Sequence, residues 1–201
     1  MAGQDSACKC GAGAFDATPP ENLTQVFRSW GPRIARSRAL KVAEAQANRL
    51  LQLSGVDAPP VSEDTIAALP NIQIERVEHA QAQAAAEWSN GRWLIILNGA
   101  MSRRRQRFSL AHELKHILDN HFVTILYPGR DECTELAEQA CDYFAACLLM
   151  PKRWLRQAWT DGVRDVRVLA RRFGVTHQAV RVRLLQIGLI EPTSRYLAKE
   201  A

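Results

Sequence analysis

Apolar residues fall at two periods along this chain, and the switches between them outline its elements. From about Ile34 to Leu53, IARSRALKVAEAQANRLLQL joins good helix formers to an apolar repeat, which predicts a long helix. Gly55 ends it, and Ala58-Pro59-Pro60 reads as a linker or turn. Val61 to Leu69 predicts a short helix with Ser62 as N-cap. The stretch NIQIERVEH alternates imperfectly through Ile72, Ile74 and Val77, as a strand does. Residues 80–88 are ambiguous: Ala-rich enough for helix, yet placed where a sheet needs another strand. Asn90-Gly91 is a hairpin turn signal, and RWLIILN after it is a strand. A polar loop holding Arg103, Arg104 and Arg105 then leads into a helix whose Leu110, Leu114, Ile117 and Leu118 form one apolar stripe. Asp131 to Met150 predicts a second helix, apolar almost all round from Tyr143 and therefore buried there. The last patterned stretch, 166–190, reads as helix, Gly174 turn, helix.

Composition narrows the class. An apolar content of 47% over 201 residues suits one domain plus an appendage. No run approaches the roughly 20 apolar residues that span a bilayer, so no membrane partner is expected. The opening MAGQDSACKCGAGAFDATPP lacks the basic and apolar regions of a signal peptide, and residues 1–20 read as a disordered tail. Five irregularly spaced cysteines make no disulfide framework, and the expected compartment is the cytoplasm. Cys8 and Cys10 in the tail read as incidental rather than as a metal or redox pair. Charge is segregated. Residues 152–190 hold nine Lys/Arg against two Asp, +7 where the whole chain is +5, which leaves −2 for the remainder. Residues 131–142 hold five carboxylates and no base. A basic module follows an acidic one.

Within the first stripe-bearing helix lies His112-Glu113-Leu114-Lys115-His116. Histidines four apart project about 40° apart on one helical face, away from the apolar stripe, and can share a metal ion. Glu113 stands beside them, placed to act as general base on a metal-bound water, as in HExxH zinc hydrolases. A third ligand is needed. His121, five residues beyond His116, points about 140° away on the same helix. Glu138 and Asp142 share a face of the second helix, where a buried carboxylate needs a partner. A metal would satisfy Glu138, and the ring N–H of a ligating histidine would satisfy Asp142. The same two carboxylates would serve equally well as a solvated rim above a core helix. His112, His116 and Glu138 leave one position open for water, the usual form of a catalytic zinc site, with one Zn2+ per chain. Candidates for a second oxyanion or substrate contact are His121, Tyr127 and Tyr143.

With RQRFSLAHELKHIL preceded by LIILN and followed by ELAEQACDYFAACLLMP, roughly residues 38–151 resemble the ImmA/IrrE family of bacterial metallo-endopeptidases. The signature matches at Glu138, Phe144, Ala145, Ala146, Leu148, Leu149, Met150 and Pro151. It departs at Cys141 for Ala, at Asp142 for Asn, and at Lys115 for a Gly, which sets a long cation near the cleft. The resemblance implies an α+β, mostly helical chain. A zincin-like metallopeptidase domain with a small sheet would span 21–151, followed by a helix-turn-helix-like segment at 152–190 and a tail at 191–201. It also implies cleavage of a specific protein, a helix-turn-helix transcriptional repressor, in a stress response or mobile-element switch.

The basic segment admits two readings. Leu169, Ala170, Phe173, Gly174, Val175 and Val180 fall where a helix-turn-helix places its core and turn. In a DNA-binding reading, Thr176, His177, Gln178, Arg181 and Arg183 face a groove while Arg164, Arg167, Arg171 and Arg172 contact phosphates. In the other, which we favour, the segment packs on the peptidase or contacts a protein partner. Rival functions are therefore a DNA-binding regulator with a structural or vestigial metal site, and a toxin–antitoxin component.

Overall fold

A computed structural model describes residues 32–127 and 135–192; the tail at 1–20, with Cys8 and Cys10, lies outside them. Helix α1 spans Pro32–Leu53 and a one-turn α2 spans Asp64–Ala67. Ser62 Oγ accepts from the Asp64 backbone N–H at 3.2 Å, but Glu63 is the residue at the cap position. Strands β1 (Ile72–Val77), β2 (Ala84–Ser89) and β3 (Arg92–Asn98) form a sheet of order β1-β3-β2, with β1 parallel and β2 antiparallel to β3. The ambiguous Ala-rich stretch is thus a strand. Asn90 and Gly91 take φ of 51° and 78°, and the two-residue turn sets Ser89 opposite Arg92 and Ala86 opposite Ile95. Cross-strand pairing and burial of Ala86 decide the matter against alanine's helical preference.

Helix α3 runs Arg103–Asp119, so the three arginines expected in a loop form its first turn. The start is fixed by Gln106, which is buried and accepts from Arg76 Nε at 2.9 Å. Its Nε2 donates to the carbonyls of Gly99 and Met101. After a 3-10 turn (Asn120–Phe122) and a short α4 (Val123–Leu126), helix α5 occupies Glu135–Leu149. Helix α5 lies at the centre, packed on both α1 and α3, while α3 also covers β2 and β3. Phe144 through Met150 are buried as their apolar run predicts. Leu110 and Leu114 join that core, but Leu118 on the same stripe is 37% exposed.

The basic segment folds as α6 (Lys152–Thr160), α7 (Val166–Phe173) and α8 (His177–Gln186). Asp165 caps α7 and the Thr176 hydroxyl caps α8, accepting from Ala179 N–H at 3.1 Å. Leu169, Phe173, Val175, Val180 and Leu184 pack into one continuous core with Leu114 and Phe144. Two arginines tie the segment down. Arg183, wholly buried, donates from Nε to the Met150 carbonyl at 3.2 Å and lies over the Tyr143 ring. Arg107 on α3 donates to the Val61 carbonyl and fits against Gly174, where an added Cβ would meet its Nη1 at 2.2 Å. Gly174 takes φ 64°, and that left-handed conformation is what makes the turn need glycine. Among the described residues no helix is long and apolar enough to cross a membrane.

Candidate metal centre

Two helices meet at this centre. Their 3.6-residue period puts His112 and His116 one turn apart on α3, with ring centroids 5.0 Å apart and planes tilted by 58°. Both Nε2 atoms turn inward, 3.2 Å from one another. From α5, Glu138 reaches into the same space. One carboxylate oxygen lies 3.2 Å from His112 Nε2 and the other 3.3 Å from His116 Nε2. Asp142, one turn further along α5, sets Oδ1 at 2.9 Å from His112 Nδ1. That contact leaves Nε2 of His112 facing the shared space and holds the ring in orientation.

Of the two readings the sequence left open, the rim fits the side chains better: Glu138 and Asp142 are 41% and 65% exposed, although the Glu138 Oε1 atom itself is buried. Their placement follows from pairing with the histidines rather than from rescue of a buried charge. Burial acts to lower the His112 pKa, but hydrogen bonds to Asp142 and Glu138 outweigh it and raise it to about 10. His112, at 3.2 Å from one oxygen, and His116, at 3.3 Å from the other, hold Glu138 well below the usual carboxylate range. Glu113 sits deeper, 5% exposed, and burial pushes its carboxyl up against the opposing pull of the two histidines.

The donor set fits a small divalent cation. The two imidazole nitrogens lie 3.2 Å apart and each has a different oxygen of the Glu138 carboxylate at 3.2 or 3.3 Å, separations that ligands of one ion with bonds of about 2.0–2.1 Å can span. Glu113 Oε2 and Glu138 Oε1 are buried atoms without a hydrogen-bond partner; the 3.3 Å approach of His116 to the latter is not a hydrogen bond. Orphaned oxygens of this kind call for a cation or a water. Cys141 also offers its sulfur here, within 4.8 Å of a ring nitrogen of each histidine.

Other expected contacts lie elsewhere. Tyr127 is 2% exposed and donates its hydroxyl to Asp119, which removes it as an oxyanion donor. Tyr143 faces α1, donating to Glu44 at 3.3 Å, and its ring carries the Arg183 guanidinium. His121 is exposed on the 3-10 turn beyond α3. Lys115 does not project near the cleft: it is wholly buried and donates to Asp119. Arg183 likewise leaves the expected groove-facing set because its guanidinium is enclosed. Arg171, Arg172, His177, Gln178 and Arg181 are exposed on α7 and α8. The Lys115–Asp119–Tyr127 cluster was the group missed from sequence; its signal was the i, i+4 spacing of Lys115 and Asp119.

Comparison with known proteins adds three findings. Residues 70–185 match the family model of the IrrE N-terminal-like domain of the M78 peptidases. A solved structure described as a Mycobacterium tuberculosis transcriptional regulator shares the fold with a TM-score of 0.58 at 19% identity. The match covers 83% of this chain and 52% of that one, so the chain spans about half of that protein's length. No curated protein gives a significant sequence match.

Proposed function

The chain belongs to the IrrE N-terminal-like peptidase family, and from that membership we propose that it is a zinc-dependent endopeptidase acting on a specific protein. The family implies a metal. The observation that carries the reading is the convergence of His112, His116 and Glu138 on one small space beside a buried, unpartnered Glu113 carboxylate oxygen. Those three side chains would hold the ion and leave room for solvent. Zinc bound there would lower the pKa of its water toward about 7 and polarise a peptide carbonyl.

The chain's own residues then divide the work. Glu113, its pKa raised by burial, takes a proton from the attacking water and later gives it to the leaving amine. Asp142 holds the His112 ring and fixes its tautomer. Strand β2 is an edge of the sheet and packs against the helix that carries the histidines, so its outer rim can pair with an extended peptide. A peptide backbone is the substrate such an edge suits.

We propose a helix-turn-helix repressor as the protein cleaved, consistent with a switch in a stress response or mobile element. The test has two arms. Elemental analysis should find one zinc per purified chain, lost in Glu138→Ala. Terminal-peptide mapping of cells expressing wild type or Glu113→Gln should show new protein termini in the wild type alone. Identical termini in both, with zinc retained, would sink the protease reading.

The second reading is a DNA-binding regulator, supported by the exposed Arg164, Arg167, Arg171 and Arg172 with His177 and Gln178. Salt-dependent duplex binding that survives Glu113→Gln and fails in Arg171→Ala/Arg172→Ala would favour it.

A further inference from the structure

Helix α5 presents three metal-competent side chains toward α3: Glu138, then Cys141 and Asp142 at three and four residues further. Asp142 is taken by His112 Nδ1. Glu138 and Cys141 approach the two imidazoles from different depths. The Glu138 side chain is 41% exposed, whereas Cys141 is 1% exposed and belongs to the interior. The sulfur nevertheless lies within 4.8 Å of a nitrogen on each histidine. A second buried cysteine on the same helix, Cys147, is 1% exposed and lies in the main apolar core, away from this cluster.

We propose that Cys141 is a further ligand of the metal centre, its thiolate closing the coordination position that water would otherwise hold. This inference rests on the metal reading above. The resting centre is then a four-ligand site of His112, His116, Glu138 and Cys141, and hydrolysis needs the sulfur to withdraw. The step balances simply: the thiol loses its proton to solvent as sulfur donates a lone pair to the cation, and release reverses both. No oxidant is involved. A thiolate in the set also biases the centre toward soft, thiophilic ions and away from manganese or magnesium.

Cobalt reads this directly, because a cobalt–thiolate bond gives a near-ultraviolet charge-transfer band that nitrogen and oxygen ligands do not. The full chain is prepared with Cys8, Cys10, Cys133 and Cys147 each changed to Ala, so that Cys141 is the sole thiol, and is loaded with Co2+ alone. We expect one cobalt per chain with the band present. Adding Cys141→Ala should abolish the band while one cobalt stays bound through the histidines and Glu138. One bound cobalt without the band would overturn the proposal and leave the metal reading intact. No bound cobalt in either protein would overturn both.

Discussion

Helix α3 carries two clusters of ionisable groups within two turns, and they are built in opposite ways. At its open face, His112, His116, Glu113 and Glu138 form a site in which two carboxylate oxygens stay without partners. One face away, Lys115, Asp119 and Tyr127 are all nearly or wholly buried, and Asp119 accepts from the other two and from Gln46. The first cluster leaves bonding capacity free for something that is not protein. The second uses its charges on itself. A buried ion pair that is well satisfied contributes little net stability, yet removing one partner is costly. On this helix the partnerless carboxylate oxygens of Glu113 and Glu138 belong to the candidate site, whereas the Asp119 carboxylate accepts from Lys115, Tyr127 and Gln46.

The sharpest way to break this contrast is to alter each cluster and read both stability and chemistry. Glu113→Gln should leave zinc content and folding unchanged and reduce peptide hydrolysis by about 10²–10⁴-fold, measured on any substrate identified by terminal mapping. Asp119→Ala should act the other way. Leaving Lys115 buried and unpaired should cost about 3–5 kcal/mol in urea unfolding. The double variant Lys115→Met/Asp119→Leu should recover most of that loss. If Asp119→Ala unfolds at the wild-type urea concentration, the architectural role assigned to this cluster is wrong.

Asp142→Ala touches the open cluster at its edge and should weaken zinc affinity by about 10–100-fold, read by chelator competition. Its unfolding in the metal-free state should change far less than that of Asp119→Ala. A smaller effect separates the clusters by pH in chelator-treated protein. His112 is raised to about 10, so its contribution is full below about 6.5 and fades as pH rises toward 10. Glu138 is depressed, so its contribution is present above its unfolded pKa of about 4.3 and fades as pH falls. The melting temperature of metal-free protein should therefore decline above about pH 6.5. Glu138→Gln should flatten that slope, and an unchanged slope would contradict the pairing. Least of all, Thr176→Ala should cost about 1 kcal/mol through loss of the α8 cap, with zinc binding untouched.

Much of this was legible in the order of residues. Period and turn chemistry gave α1, β1, β3, the Asn90-Gly91 hairpin and the two central helices, because those signals are local. The His-x-x-x-His spacing on α3 follows from helical pitch alone. Spacing on α5 likewise set Glu138, Cys141 and Asp142 on one face. Packing decided the remainder. Whether Ala84–Ser89 became strand depended on β3 lying alongside, and whether Lys115 faced cleft or core depended on Asp119 and Tyr127 closing round it. Arg183 looked like a groove contact until α8 docked and the Met150 carbonyl took its guanidinium. Sequence by itself determined which side chains could share a helix face, since that is fixed by 1.5 Å and 100° per residue. Only the tertiary structure decided which faces met, because burial and pairing depend on neighbours tens of residues away.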